Sequence, residues 1–466
     1  MLGNLISDIN NALYGYILII LLVGTGLYFT YKTKFAQFRL LKQQIKSVIE
    51  KPTDGKGVSS FQALMVSTAS RVGTGNIVGV STAICLGGYG SVFWMWVIAI
   101  IGASSAFVES TLAQLYKRKG PQGCYGGPAY YIETALKKRW LAVLFSVLLT
   151  ITYGIGFNML ASYNLQSAFS VYEFYNPNIT PWIIGFLTSA LVCYCLFGGG
   201  GRILKATSVL VPIMGVIYVL GAVVVVIMNF SSLGRVVVNI FENAFDFEAI
   251  FGGFSGSCVM YGIKRGLFSN EAGVGSAPNA SASAQVDHPA KQGLVQVLSV
   301  FIDTILVCSA TAFMCVCSGV EPGAELSGAP YVQMALSASF GSFGSVFITL
   351  AMMFFAFTTL LGNLYYVDKA IIHIIGKTPG KKFMRAYYVI ASLFILLGAL
   401  LSASLLWDIA DITMGAMTLI NIPVIIILSK YAIRALNDYE KKLNRGTDIT
   451  FKAKDIELPH DVDYWE

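Results

Sequence analysis

The stretch Leu267-Phe268-Ser269-Asn270-Glu271-Ala272-Gly273-Val274-Gly275-Ser276-Ala277-Pro278 is small, polar and glycine-rich, yet it lies inside a long apolar region. Gly262 and Gly266 precede it and Pro278 closes it. Glycine lacks a Cβ and proline lacks an N–H, so both loosen a helix. In a bilayer, backbone that leaves the helical ladder survives only where protein buries it or where it lines a wet cavity. A carboxylate there, Glu271, is costly to hold and is a functional suspect by default. A second interruption, Arg71-Val72-Gly73-Thr74-Gly75-Asn76, sits in an earlier apolar segment. Two interrupted helices in matching halves of a membrane chain point to a transporter binding site.

The whole chain agrees with that setting. Of its 466 residues 55% are hydrophobic and 12% charged, roughly half the charge of an ordinary soluble domain. Apolar runs of about 20 residues recur from end to end, which defines a polytopic all-α membrane protein rather than a soluble core or a β-barrel. The net charge of +7 invites a nucleic-acid reading, but the bases fall in loops on one side. The eight cysteines are scattered, with Cys193/Cys195 and Cys315/Cys317 inside apolar runs. They form no zinc or disulfide framework and read as small buried hydrophobes. The first run, 12–31, has no basic leader and no clear cleavage site, so it reads as a retained helix.

The pattern predicts about eleven spans, at 12–31, 60–86, 89–117, 140–170, 181–198, 207–228, 249–286, 290–318, 341–372, 384–405 and 408–434. Between the first two, Lys32 to Lys56 is basic. Its apolar stripe of Phe35, Phe38, Leu41 and Ile45 fits a helix lying on the membrane surface. The tail from Tyr439 is polar and charged and is expected to be only partly ordered. On this map the bases of 32–56, 117–139, Arg202, Lys205, Lys291, 369–385 and 430–454 share one face. The other face holds Asp8, Glu173, Glu242, Asp246, Glu248, Glu321, Glu325 and Asp408, with Arg235 as its one base. The positive-inside rule then sets the N-terminus outside and the C-terminus in the cytoplasm. The spans divide as one plus five plus five, with a polar break in the first member of each five and opposite topology for the two halves. The units are 1–59 (first helix and basic linker), 60–230 (first repeat), 231–436 (second repeat) and 437–466 (cytoplasmic tail).

At the first break an unwound turn would aim N–H groups at a bound anion, and the helix fragment after it adds a positive dipole end. Thr74 and Asn76 add polar side chains. Glycine for close helix packing is the plainer alternative; the pairing with a second break favours a site. At the second break Ser269, Asn270 and unwound carbonyls can hold a small cation or an ammonium. Phe268 either covers the cavity or packs in the core. Glu271 either contacts the ligand or pairs with Lys264 or Arg265 to tie the broken helix, the latter preferred because buried charges need partners. Arg71 is either a gate charge or a snorkelling side chain. Asp303 is a candidate buried partner, whereas Asp368 beside Lys369 reads as a solvated helix end. Thr358 and Thr359 lie at mid-span. They either complete a sodium shell with carbonyls of the first break or bond their own helix.

These residues are where the chain resembles the alanine or glycine:cation symporters, the sodium:alanine symporter family. The matching stretches are "RVGTGNIVGVSTAICLGGYGSVFWMW" from Arg71, "GGPAYYI" from Gly126, "GRILKATSVLVPIM" from Gly201 and "GLFSNEAGVGSAPNASASAQVDHPAKQGLVQ" from Gly266. The resemblance runs from about Phe61 to Asn363. It implies a LeuT-type five-plus-five inverted-repeat core with one extra N-terminal helix, in a bacterial cytoplasmic membrane. It also implies co-transport of sodium with a small neutral amino acid. By motif, Thr74, Gly75 and Asn76 would meet the carboxylate. Phe268, Ser269, Asn270 and Gly273 would line the pocket with Phe157 and Asn158 of "GIGFN". Sodium would take carbonyls near Ala69 and Val72 with Thr358 and Thr359. Tyr89 in place of a usual proline, "ASSAFVES" from Ala103 and Ser281 in place of a frequent histidine resemble a glutamine-transporting sub-branch. Alanine, glycine and glutamine therefore all stand as substrates.

Two other classes meet obstacles in the residues. A membrane-embedded hydrolase needs a nucleophile and base on facing helices, but His288, His373 and His460 fall at span ends or in the tail. A cation channel uses rings of repeated ligands around an open pore, which a pair of broken helices does not supply.

Overall fold

The computed structural model describes residues 8–53, 55, 57–120, 123–246, 250, 253, 257–459 and 462–465. Lys56, Glu248, His460 and the predicted start of the span at 249 lie outside the described residues. The described chain is helical. Its only β features there are isolated bridges, Val58 with Ala284 and Arg118 with Tyr125.

In chain order the helices are α1 (Asp8–Lys32), α2 (Ala36–Arg39), α3 (Leu41–Ile49), α4 (Ser60–Arg71), α5 (Gly75–Gly87), α6 (Gly90–Leu115), α7 (Pro128–Leu136), α8 (Arg139–Ser167) and α9 (Thr180–Leu196). Then come α10 (Gly199–Met228), α11 (Phe230–Ala244), α12 (Cys258–Asn270), α13 (Pro278–Ser281), α14 (Pro289–Cys317), α15 (Ala329–Phe340), α16 (Ser342–Ile375), α17 (Lys381–Gly398) and α18 (Ala403–Arg445). Among the described residues, seven of these are long and apolar enough to cross a membrane. Every predicted span has a helical counterpart. The counterparts of 60–86 and 249–286 are each two fragments, α4 with α5 and α12 with α13. Helices α7, α11 and α15 were not anticipated, because none offers a continuous apolar run near 20 residues.

The broken helices occupy the centre. Helix α4 packs between α10 and α16, while α12 and α14 pack on α6. Around them, α9 and α10 turn apolar side chains outward, among them Ile183, Phe186, Leu187, Ile213, Ile217 and Leu220. An exposed apolar belt of this kind suits lipid rather than water.

The surface segment behaves as its pattern requires. Phe35, Phe38, Leu41 and Ile45 are exposed, whereas Gln37, Gln44 and Ser47 are buried against the protein. Polar-in, apolar-out is the arrangement of a helix lying against lipid.

Two expectations are corrected. Of the residues expected in the outer loops, Asp8 lies in α1, Arg235 and Glu242 in α11, and Asp408 in the first turns of α18, where it accepts a hydrogen bond from Asn10 at 2.8 Å. The tail is docked rather than loose. Phe451, Ile456 and Trp465 are buried. Trp465 Nε1 donates to the Gln114 carbonyl at 2.7 Å, Phe451 N to Asp287 O at 2.9 Å, and Tyr464 OH to Gln285. Lys117 Nζ lies 3.7 Å from the Tyr464 ring centroid. The polar average of this segment conceals three well-spaced apolar anchors, each large enough to hold a strap. Replacing a buried tryptophan by alanine costs about 3–5 kcal/mol. Trp465→Ala should therefore speed hydrogen exchange across Ala453–Ile456 by about a hundredfold or more; unchanged exchange there contradicts a docked tail.

Candidate functional site

Helix α4 starts cleanly. Ser59 Oγ accepts from Gln62 N and Gln62 Oε1 accepts from Ser59 N, a reciprocal cap. It stops at Val72, whose ψ of 87° leaves the helix. The break is confined to Val72 and Gly73, and a π-helical turn, Gly75–Gly79, opens α5. Asn76 closes the gap from inside. Its Oδ1 accepts from Gly73 N at 2.8 Å, and its Nδ2 donates to Asp303 Oδ1 at 2.7 Å. Thr74 Oγ1 accepts from Asn164 Nδ2 at 3.1 Å. A side chain at Gly73 would strike the Thr359 hydroxyl, and one at Gly75 would meet the Phe268 ring at 2.9 Å. Glycine at these positions is what lets the neighbours approach.

Helix α12 ends at Asn270 and the chain turns left-handed at Glu271, with φ of 52°. Gly273 and Gly275 follow at φ of 88° and 90° before Pro278 restarts a helix. The unwound turn is held by carboxylates from two directions. Glu271 accepts from Ser70 Oγ at 3.2 Å and from Ser276 Oγ at 2.5 Å. Glu109, on α6, accepts from Gly273 N at 3.4 Å and from Asn421 Nδ2 at 2.9 Å. Asn421 Nδ2 also donates to Gly273 O at 2.9 Å. Asn270 Oδ1 accepts from Ala272 N at 3.0 Å. The proposed tie from Glu271 to Lys264 or Arg265 is absent. Those bases pair instead with Asp411 on α18, at 2.9 Å and 3.2 Å.

The two breaks meet. Ser269 Oγ donates to Asp303 Oδ2 at 2.9 Å, and Thr304 Oγ1 donates to the same oxygen at 2.7 Å. Asp303 thus joins Asn76 of the first break to Ser269 of the second. It is fully buried and lies on a π-helical stretch, Phe301–Cys308, a geometry that recurs at functional sites. No cation lies within ion-pair distance of Asp303, Glu109 or Glu271 among the described residues. Arg71, also buried, donates to Gln296 at 2.9 Å. An aromatic column runs beside this centre. Phe157 and Phe268 ring centroids are 4.6 Å apart, Phe268 and Trp407 4.8 Å, and the Arg265 guanidinium lies 3.9 Å from the Trp407 centroid. Above it, a cavity of ≈ 610 Å³ is lined by Val78, Asn164, Arg265, Trp407, Asp408 and Asp411. The cavity reaches the first break through Asn164, the donor to Thr74.

Of the residues anticipated from the sequence, Thr74, Gly75, Asn76, Phe157, Phe268 and Ser269 come together here. Asn158 joins through Asn363, whose Nδ2 donates to Asn158 Oδ1 at 2.9 Å while its Oδ1 accepts from Ser70 at 2.6 Å. Asn270 and Gly273 shape the second turn. Thr359 Oγ1 donates to Ala69 O at 3.1 Å, beside Val72. Thr358 instead donates to Phe354 O at 2.9 Å, within its own helix. Asp368 is not a solvated end; it is 8% exposed and accepts from Tyr388 OH at 3.3 Å. Glu109, Asn164, Trp407, Asp411 and Asn421 were not singled out. A carboxylate in the apolar run 89–117 was the available signal for Glu109.

Interrupted helices that face one another across a buried polar centre, inside an apolar-clad helical bundle, define a membrane transporter. The chain belongs to the sodium:alanine symporter family, whose model matches residues 1–453. It is 42% identical over 464 residues to the amino-acid carrier protein AlsT of Bacillus subtilis, covering 100% of this chain and 98% of that one. It is 40% identical to the probable sodium/glutamine symporter GlnT of the same organism, covering 100% and 96%. It is 36% identical to the sodium/alanine symporter AgcS of Methanococcus maripaludis, covering 94% and 98%. A crystal structure of a mutant manganese transporter from Eremococcus coleocola is similar in fold, with a TM-score of 0.56 and 12% identity over 84% of this chain and 81% of that one.

Asn76→Ala removes the acceptor for Gly73 N and a donor to Asp303, each about 1–3 kcal/mol when left unanswered. Uptake should be lost while the protein still inserts and purifies as a folded species. Near-normal uptake by folded Asn76→Ala would remove Asn76 from the site.

Proposed function

We propose that this protein imports a small neutral amino acid together with sodium, by alternating access. The observation that carries the reading is the junction at Asp303, where both unwound turns converge on a buried carboxylate that makes no ion pair among the described residues. A buried carboxylate costs several kcal/mol unless a cation answers it, and an ion that travels with the substrate is such a cation.

In this reading the substrate carboxylate meets Thr74, Gly75 and Asn76 at the positive dipole end that opens α5. The ammonium lies toward Ser269, Asn270 and the carbonyl end of α12. Phe157, Asn158, Phe268 and Gly273 form the walls. One sodium ion uses the Ala69 and Val72 carbonyls with Thr359, and Thr358 turns from its own helix to complete the shell. A second cation uses Asp303 with the Ser269 and Thr304 hydroxyls. The architecture we propose is eleven spans in a LeuT-type core: 1–59 as first helix and linker, 60–230 and 231–436 as inverted repeats, 437–466 as cytoplasmic tail. The segregation of bases to one face supports an outer N-terminus and a cytoplasmic C-terminus. On that orientation the ≈ 610 Å³ cavity is the outer vestibule, with Trp407 and the Arg265–Asp411 pair above Phe268.

The relatives' names divide between alanine and glutamine, and with Asp303 answered by the second cation the walls Phe157, Asn158, Phe268 and Gly273 offer no charge to an acidic or basic side chain. An unpaired charge at mid-membrane costs roughly 2.5–3.5 kcal/mol, about a hundredfold in affinity. Uptake of labelled alanine and glutamine into proteoliposomes should require sodium and be inhibited by alanine, glycine or glutamine. Inhibition by lysine or glutamate alone would sink the neutral-substrate reading. Losing one hydroxyl ligand to a cation, worth about 1.5–3 kcal/mol, should raise the half-saturating sodium at least about tenfold in Thr359→Val. Thr358→Val should shift it less, and an unshifted Thr359→Val would remove that hydroxyl from the sodium shell.

A further inference from the structure

A second cavity, of ≈ 380 Å³, opens where the basic loops collect, between the turn joining α9 to α10 and the facing ends of α16 and α17. Lys369, Lys381 and Arg385 line it, and none of them makes an ion pair among the described residues. Two helix starts converge on it, α10 at Gly199 and α17 at Lys381. Neither has a side-chain cap, and neither has an acid in its first turn. A helix N-terminus carries about half a positive charge, so bases placed there are unfavourable unless an anion answers them. One carboxylate, Asp368, lies in the wall. Its Oδ2 accepts from Tyr388, while its Oδ1 is buried without a hydrogen-bond partner. Beside the cavity the apolar surface is exposed: Leu191, Tyr194 and Phe197 on α9, and Phe383, Ile390 and Leu393 on α17.

We propose that this cavity is a headgroup site for an anionic phospholipid of the phosphatidylglycerol type. The phosphodiester sits between Lys381, Arg385, Lys369 and the two helix starts. The glycerol hydroxyls face the wall formed by Asp368 and Tyr388, and the acyl chains follow the exposed α9–α17 surface. Basic pockets between helices at a membrane face bind anionic headgroups by this combination of charge and apolar continuity.

Native mass spectrometry of the full-length purified protein, titrated with phosphatidylglycerol, phosphatidylcholine or inorganic phosphate, tests the assignment. Wild type should retain phosphatidylglycerol in preference to phosphatidylcholine. With about 1 kcal/mol per base, Lys381→Gln/Arg385→Gln should weaken that retention about thirtyfold. Both side chains are exposed, so the fold is not at risk. Lys42→Gln/Lys46→Gln, two exposed bases on the surface helix, should change it little. Equal retention of the two lipids by wild type overturns the site, as does undiminished retention by the Lys381/Arg385 variant or an equal loss in the Lys42/Lys46 control. Displacement of the lipid by millimolar inorganic phosphate would assign the cavity to a free anion and overturn the lipid.

Discussion

Backbone that unwinds inside a low-dielectric interior must have its N–H and C=O groups answered, and this requirement organises the centre of the molecule. Each break is answered by side chains from elsewhere in the chain. At the first, Asn76 caps Gly73 and reaches Asp303. At the second, Glu109 and Asn421 hold Gly273 while Ser70 and Ser276 hold Glu271. The price of this arrangement is three buried carboxylates with one buried guanidinium, Arg71, among them. Charge of that kind is retained in a membrane interior where it serves the passage of ions or solutes.

The same bonds couple the breaks to the helices around them. Asp303 belongs to α14, Glu109 to α6, Asn421 to α18 and Thr359 to α16. A ligand that enters between the breaks therefore touches four packed helices through one layer of hydrogen bonds. This is the physical content of coupling: two arrangements of a contiguous network, biased by what occupies its centre. At the opposite end, the tail strap and the 283–288 segment are fastened to each other and to the end of α6 by Trp465, Tyr464 and Phe451, and Tyr365 reaches Ser283 at 2.8 Å.

Much of this was legible in the sequence, because the deciding signals are local. A cluster of glycine, serine and asparagine inside an apolar run marks a break wherever it is read, and the family motifs cover those same clusters. Thr359 was legible for the same reason; its neighbour Thr358 was not separable from it, since only the helix's rotation decides which hydroxyl meets Ala69. What stayed hidden depends on distance along the chain. Glu271 lies within two turns of Lys264 and Arg265, so the local sequence favours pairing among them. The bases reach Asp411 instead, about 146 residues away, and the carboxylate turns inward at a left-handed residue. Asn421 reads as one polar residue in a long apolar helix until the fold sets it against Gly273. The docking of the tail is hidden in its average charge because it depends on three residues, Phe451, Ile456 and Trp465.

On the proposed reading the two breaks form one site, occupied jointly by substrate and sodium. If so, each must tighten the other's binding by the same factor, because coupling between sites is reciprocal. Calorimetric titration of the purified protein with alanine or glutamine across a series of sodium concentrations, and with sodium across a series of amino-acid concentrations, measures both factors. The two factors should be equal and well above one, and both should fall toward one in Asp303→Asn. Amino-acid binding that is indifferent to sodium would contradict a joint site.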